Sequence, residues 1–577
     1  MTKKPQSQLL GPEQRHLAWG RLGKEHFDVV VVGGGVVGAG IALDAATRGL
    51  DVALVEARDL ASGTSSRSSK MFHGGLRYLE QLEFGLVREA LRERELALSF
   101  LSPHLVKPLR FLYPLTHRGW ERPYVAAGLV LYDTMGGSKS VPGQRHLTKH
   151  GALRLAPGLR RDALIGGVSY YDTVVDDARH TMTIARTAAH YGAVIRTSTQ
   201  VVGFLREADR VSGVKIRDTE DGRTAEVRAH VVINATGVWT DEVQALSKTR
   251  GRFQVRASKG VHIVVPRDRI VSDTAMILRT ATSVLFVIPW GAHWIIGTTD
   301  TDWNLDLAHP AATEADIAYL LDRVNEVLVT PITHDDITGV YAGLRPLLAG
   351  ESDSTSKLSR EHAVARIAPG LVAIAGGKYT TYRVMAYDAV DEAARDLPAR
   401  VSPTITEKVP LLGAEGYFAL VNQTVQLAEL YGLHPYRVKH LLDRYGSLID
   451  EVLAAAEDAP DLLHPIAAAP SYLRAEALYA VTAEGALHLD DILARRTRIS
   501  IEYAHRGADC AEEVARLVGP VLGWDEAETQ REIATYLSRV DAEIRSQKQP
   551  DDASADALRV AAPEPRPELL EPVPVES

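Results

Sequence analysis

Apolar and polar positions follow three textures along the 577-residue chain. From Phe27 to about residue 409, short β-branched runs alternate with stretches of helical period. From 410 to about 547 helical periodicity dominates, broken at Gly432, Gly446 and Pro470. The run Phe27–Val32 predicts a strand. Glycines follow it, then a helical pattern that reaches Arg48 and stops at Gly49, then a second strand Val52–Val55. Charges interleaved with Leu86, Ala90, Leu91, Leu96 and Leu98 predict an amphipathic helix over roughly 83–101, and another helix is expected at 179–191. Strand-like runs recur at 200–205, 211–217, 226–233, 262–266, 284–289, 294–297 and 371–375. Residues 1–26 read as a loosely held arm. Residues 548–577, rich in Pro, Glu, Asp and Ala and without an aromatic residue, read as a disordered tail.

This length calls for two or three domains, and 45% hydrophobic with 24% charged residues is ordinary for a globular enzyme. A net charge of −9 argues against a general nucleic-acid binder. The single Cys510 allows no internal disulfide and no metal site built from several cysteines, which fits a reducing cytosolic setting. Met-Thr-Lys-Lys-Pro-Gln is not followed by a secretory h-region. No stretch reaches the ~18 apolar residues of a spanning helix. A cytoplasmic protein is expected, at most peripheral on the inner face of the cell membrane. The basic stretches Arg495–Arg498 and Arg15–Lys24 are candidates for contact with anionic lipid.

Gly33-Gly34-Gly35-Val36-Val37-Gly38 carries the clearest chemistry. Gly33 permits a tight turn, Gly35 lets backbone N–H groups approach a pyrophosphate, and Gly38 lets the helix pack on the strand. Glu56 ends the second strand where ribose hydroxyls need an acceptor. With Asp28, these are the candidate nucleotide-binding positions of the unit. One such fingerprint means NAD alone, or FAD with electrons passed elsewhere. The nucleotide domain reassembles from distant pieces near 231–237 and 371–383, a layout typical of FAD enzymes.

Narrower segments are Ser68-Ser69-Lys70-Met71-Phe72-His73-Gly74-Gly75-Leu76-Arg77-Tyr78-Leu79-Glu80, Lys259-Gly260-Val261-His262, Gly297-Thr298-Thr299-Asp300-Thr301, Gly343-Leu344-Arg345-Pro346 and Gly376-Gly377-Lys378-Tyr379-Thr380-Thr381-Tyr382-Arg383. With the helical stretch Leu487–Arg498 they resemble the FAD-dependent glycerol-3-phosphate dehydrogenases over about 27–545. The resemblance implies an α/β fold: a Rossmann-like FAD-binding domain with an inserted antiparallel-sheet substrate domain, of the D-amino-acid-oxidase type, plus a C-terminal all-α domain. The expected bounds are 27–409 for the discontinuous FAD and substrate unit, with substrate portions near 105–165 and 245–345, and 410–547 for the helical domain. The implied reaction is oxidation of glycerol 3-phosphate to dihydroxyacetone phosphate, with electrons passing through FAD to a membrane quinone. A homodimer and peripheral membrane contact are further expectations.

A small dianion needs cations beside the flavin. Arg77 and Arg345, each preceded by Gly-Leu, are candidates together with Tyr78, Lys378 and Lys259. The alcohol proton needs a base, for which His262, His73 and a deprotonated Lys378 are candidates. Gly377, Thr380 and Thr381 open a helix suited to the reduced flavin. Ser69 and Lys70 are expected at the pyrophosphate or flavin edge, and Thr236 and Gly237 near the adenine half. No grouping has metal-ligand spacing. The competing readings are an amine or 2-hydroxy-acid oxidoreductase of the same fold, a glycerol-3-phosphate oxidase that uses oxygen, and a nucleotide-holding interaction protein.

Overall fold

The computed structural model describes residues 9–75, 83–117, 119, 121–136, 140–248, 254–279, 284–349 and 361–570. Strands His26–Val32, Val52–Val55, Val194–Arg196, Thr224–Asn234 and Leu371–Gly376 pair in parallel, with Thr224–Asn234 and Val52–Val55 flanking His26–Val32. His362–Ala368 adds an antiparallel edge. Helices Val36–Thr47, Asp177–His190 and Tyr382–Ala394 share one hydrophobic core with this sheet. Val29–Val31 are fully buried, as expected of a strand covered on both faces. Gly33 turns the chain with φ +108°, and a Cβ there would stand 2.7 Å from the Ala235 carbonyl oxygen. At Gly38 a Cβ would fall 1.9 Å from the Gly33 carbonyl oxygen, so only glycine lets the helix start this close to the turn.

A second, mainly antiparallel sheet runs Thr301–Trp303, Val255–Pro266, His293–Gly297, Val284–Trp290, Ala275–Arg279, Lys107–Leu115, Gly166–Val174 and Arg145–Thr148. Gly339–Leu348 pairs with the other edge of Val255–Pro266, placing Arg345 opposite Ser258 and Tyr341 opposite His262. The region after 410 is helical apart from a short hairpin, Pro465–Ile466 with Ala469–Leu473.

Three expectations are corrected. The N-terminal arm holds a helix, Pro12–Leu22, with Leu22 fully buried and Trp19 under the guanidinium groups of Arg196 and Arg223. The described residues of the tail are ordered. Asp552–Val560 is a helix capped by Asp551, Ala555 is fully buried, and Arg566 is held by Ser198 Oγ at 2.9 Å and Asp491 at 3.0 Å. Its composition lacks a core of its own, but partners on the folded body supply one. The third correction concerns the basic stretches. Arg15 is spent on the Thr197 carbonyl and Asp218. Arg495, Arg496 and Arg498 are 6%, 1% and 2% exposed and face inward. Arg496 grips Asp59 with two bonds of 2.7 and 2.6 Å, and Arg495 reaches the same carboxylate at 2.6 Å. Arg498 meets Asp176 and Asp177 at 2.5 Å. Together they clamp the helical domain to the nucleotide domain.

Asp59→Asn leaves two buried guanidinium groups without their shared countercharge. We expect a loss of about 3–5 kcal/mol, measured by denaturant unfolding; a change within experimental error would show that the clamp does not hold the domains together.

Candidate active site

The parallel strands end at a cleft of about 320 Å³ lined by Gly33, Gly35, Val36, Glu56, Thr236, Gly237, Gly377 and Lys378. Glu56 accepts the Gly34 N–H at 2.6 Å and the Arg58 N–H at 2.8 Å, and burial raises its proton affinity against these bonds. Both oxygens retain lone pairs toward the cleft. The Val36–Thr47 helix starts at Gly35, with no acid in its first turn and no cap from its own N-cap residue. Ser65 Oγ takes the Val36 N–H at 2.9 Å. A positive helix pole, a small-residue approach and a carboxylate one strand away fit a dinucleotide pyrophosphate and ribose.

The structure separates the other nucleotide candidates. Asp28 lies at the opposite end of its strand, half-buried, and accepts the Asp51 N–H at 2.8 Å. It closes the strand pair and does not reach the cleft. Gly38 acts through packing alone. Lys70 is fully buried, its Nζ bonded to Asp177 Oδ1 at 2.8 Å and the Ser66 carbonyl at 2.5 Å. Burial and the nearby Arg498 push its pKa down to about 8. Its side chain braces the loop from behind and does not lie at the cofactor edge. Ser69 sends its Oγ to His262 Nε2 at 2.9 Å.

Alternation along Val255–Pro266 sorts the substrate candidates. Ser258, Gly260 and His262 share one face; Lys259 takes the other. Lys259 is 1% exposed and bonded to Asp316 at 2.7 Å and to Asp552, so it is a structural ion pair, not a substrate contact. Arg345 lies on the His262 face. Its Nη2 meets Thr298 Oγ1 and the Thr299 carbonyl at 3.1 Å, and its Nη1 reaches Ser258 and Asp300 only at 3.3 and 3.4 Å. Its neighbour Pro346 lines the dinucleotide cleft. The His262 ring stacks on Tyr341 at 4.7 Å and 10°, and its buried Nδ1 makes no hydrogen bond. Burial, then Arg345 and Lys70, hold its pKa well below 6.5. The Tyr341 hydroxyl donates to the Ser68 carbonyl at 3.0 Å, tying this face to a loop residue that lines the cleft.

His73 is half-buried. Its N–H donates to Thr380 Oγ1 at 3.1 Å and its carbonyl accepts from the same hydroxyl at 3.0 Å. Thr380 and Thr381 are buried and secure the turn before Tyr382–Ala394, leaving Gly377 and Lys378 at the cleft. Arg77 and Tyr78 lie outside the described residues. Sequence reasoning did not find Trp239, Glu242, Gln200 or Leu570, which also line the cleft. Burial pushes Glu242 up to about 7. The strand run at 200–205 held the only signal for Gln200. Among the described residues no group of three or more His, Cys, Asp or Glu could hold a metal, and no helix is long and apolar enough to cross a membrane.

Comparison with known proteins agrees with this geometry. Residues 28–383 match the family described as FAD dependent oxidoreductase, and 404–529 match the C-terminal domain of alpha-glycerophosphate oxidase. Glycerol-3-phosphate dehydrogenase 2 of Mycobacterium tuberculosis is 76% identical over 567 residues, covering 98% of this chain and 97% of that protein. The mitochondrial glycerol-3-phosphate dehydrogenase of Homo sapiens is 36% identical over 532 residues, covering 88% and 72%. The crystal structure of glycerol-3-phosphate dehydrogenase from Bacillus halodurans complexed with FAD superposes with a TM-score of 0.77 at 29% identity, covering 92% of this chain and 98% of that one. With its cleft at the strand ends and both domains matched, the chain belongs to the FAD-dependent glycerol-3-phosphate dehydrogenase family.

Proposed function

We propose that the protein oxidises sn-glycerol 3-phosphate to dihydroxyacetone phosphate by hydride transfer to FAD, with electrons passing on to a quinone. The placement of Arg345 and His262 on one sheet face, with Arg345 next to the cleft residue Pro346, carries this reading. When bound, FAD supplies the acceptor for the hydride that leaves carbon 2 with both electrons of its C–H bond. The hydroxyl proton must go to a base. His262 is held neutral, and with Nε2–H donating to Ser69 Oγ its Nδ1 carries the lone pair. The O–H bond breaks as the proton passes to Nδ1, and the oxygen keeps the pair that becomes the carbonyl. The flat Tyr341 stack fixes the ring. Arg345, 22% exposed, supplies a planar fork for phosphate oxygens, and Lys378, which lines the cleft, adds positive charge. The family resemblance supports a quinone acceptor and a peripheral seat on the inner membrane face.

Arg345→Ala should weaken glycerol 3-phosphate binding by about 2–5 kcal/mol, read as Kd from anaerobic titration of the flavin spectrum; unchanged affinity would remove Arg345 from the pocket. His262→Asn should slow flavin reduction at saturating substrate about 10²–10⁴-fold in stopped flow. In the parent enzyme the bimolecular rate of flavin reduction at low substrate, which reports the free enzyme, should keep its His262 base as pH falls through 6.5 and lose it only at the lowered pKa, because the base form survives to lower pH. A limb at 6.5 that vanishes in His262→Asn would contradict the burial of this ring. Glycerol 3-phosphate should reduce a water-soluble quinone analogue, whereas peroxide equal to substrate consumed would assign an oxidase.

A further inference from the structure

Adjoining the dinucleotide cleft, with which it shares Arg58, Ser62 and Trp239, lies a second cavity of about 120 Å³, against the ~10–15 Å³ that one water needs on the same measure. Its walls come from three places: Arg58 and Arg67 on the cofactor loop, Arg506 and Arg539 in the helical domain, and Arg559 in the ordered tail. Arg495, Arg498 and Arg566 also border it, but Asp59, Asp176, Asp177, Asp490 and Asp491 neutralise them. The remaining five arginines share two carboxylates. Glu543 pairs with Arg559 at 3.0 Å and lies 3.8 Å from Arg506; Glu564 lies 3.9 Å from Arg58. Positive charge is therefore in excess around the cavity.

Arg506 is buried, and the other four arginines are half-buried. Arg506 is 6% exposed, and its Nε and Nη1 make no hydrogen bond. Arg67 gives one bond, to the Ala308 carbonyl at 2.9 Å, and burial with Arg559 and Arg495 nearby pulls its pKa down to about 10. Arg539 bonds only the Pro563 carbonyl and the ring of His309, which burial and Arg539 itself keep neutral. Glu543 and Glu564 retain 32% and 29% side-chain exposure and mark a mouth to solvent. Buried and half-buried guanidinium groups in excess of their partners favour a counterion, and planar forks converging from three sides suit tetrahedral oxygens.

We propose that this cavity is a second anion site, which takes a phosphate-type oxyanion, free or as the phosphoryl end of a metabolite, between the cofactor loop, the helical domain and the tail. Gly63, Thr64 and Ser65 line the dinucleotide cleft while Arg67 of the same loop lines this cavity, so an anion here braces the loop that the cofactor contacts.

Calorimetric titration of the full-length, FAD-loaded enzyme with inorganic phosphate at constant ionic strength tests the site. Two binding events are expected. Arg345→Ala should remove one and keep the other, while Arg506→Gln and Arg539→Gln should each weaken the other tenfold or more. A parallel titration with ATP separates the sources. Tighter binding of ATP that is lost in Arg506→Gln assigns a nucleotide, and equal or weaker binding assigns the free anion. A single event abolished by Arg345→Ala, or affinities unchanged in both glutamine variants, overturns the proposal. Melting gives an independent reading if either variant folds poorly. Phosphate should raise the midpoint of the parent and not that of Arg539→Gln, and an equal rise in both counts against the site.

Discussion

The Arg495–Arg496–Arg498 clamp on Asp59, Asp176 and Asp177 is the constraint on which the rest of the molecule depends. Taking these charges out of water costs several kcal/mol per ion, and only near-complete hydrogen bonding offsets it. That completeness is visible. Asp177 also accepts from Ser68 N–H and Oγ at 2.9 and 2.6 Å and from Lys70. The cofactor loop therefore takes its shape from carboxylates that the helical domain holds in place. The helical domain is thus not an appendage, because without it Asp59 would lose both of its guanidinium partners.

The same clamp shows where sequence reading stops. Gly33 to Gly38 was legible because backbone geometry there admits one residue type, and Val29–Val32 because a doubly covered strand must be apolar. Arg495–Arg498 read as a candidate for contact with anionic lipid, since an arginine run carries no mark of the carboxylates more than 300 residues away that neutralise it. Lys259 was misread for a related reason. Its Gly-flanked setting suggested a pocket, but the strand's two-residue period turns it to Asp316 and Asp552. The tail misled through composition. Residues 552–570 lack a core of their own and become ordered by lending single residues, such as Ala555 and Arg566, to cores and ion pairs already built.

Pairing register also explains how the site forms. Ser258, His262, Tyr341 and Arg345 come from two antiparallel strands, and only the register Ser258↔Arg345 and His262↔Tyr341 brings them to one face. A shift by one residue would move the set to the side now occupied by Lys259. Gly260 and Gly297 leave the needed space: a Cβ would stand 2.5 Å from Arg345 Nη2 at Gly260 and 2.2 Å from His262 Cδ2 at Gly297. Sequence showed His262 and Arg345 as separate candidates; the sheet makes them neighbours.

That proximity has a chemical consequence on the proposed reading. Burial, then Arg345 and Lys70, lower the proton affinity of His262, which keeps it neutral and able to accept a proton before substrate arrives. A phosphate dianion on Arg345 offsets part of that positive field. Opposite charge nearby favours the protonated imidazole, so substrate binding raises the basicity of His262 at the moment the alcohol proton must leave. The cation that holds the substrate and the ring that deprotonates it thus act as one device, whose setting depends on whether the phosphate is in place.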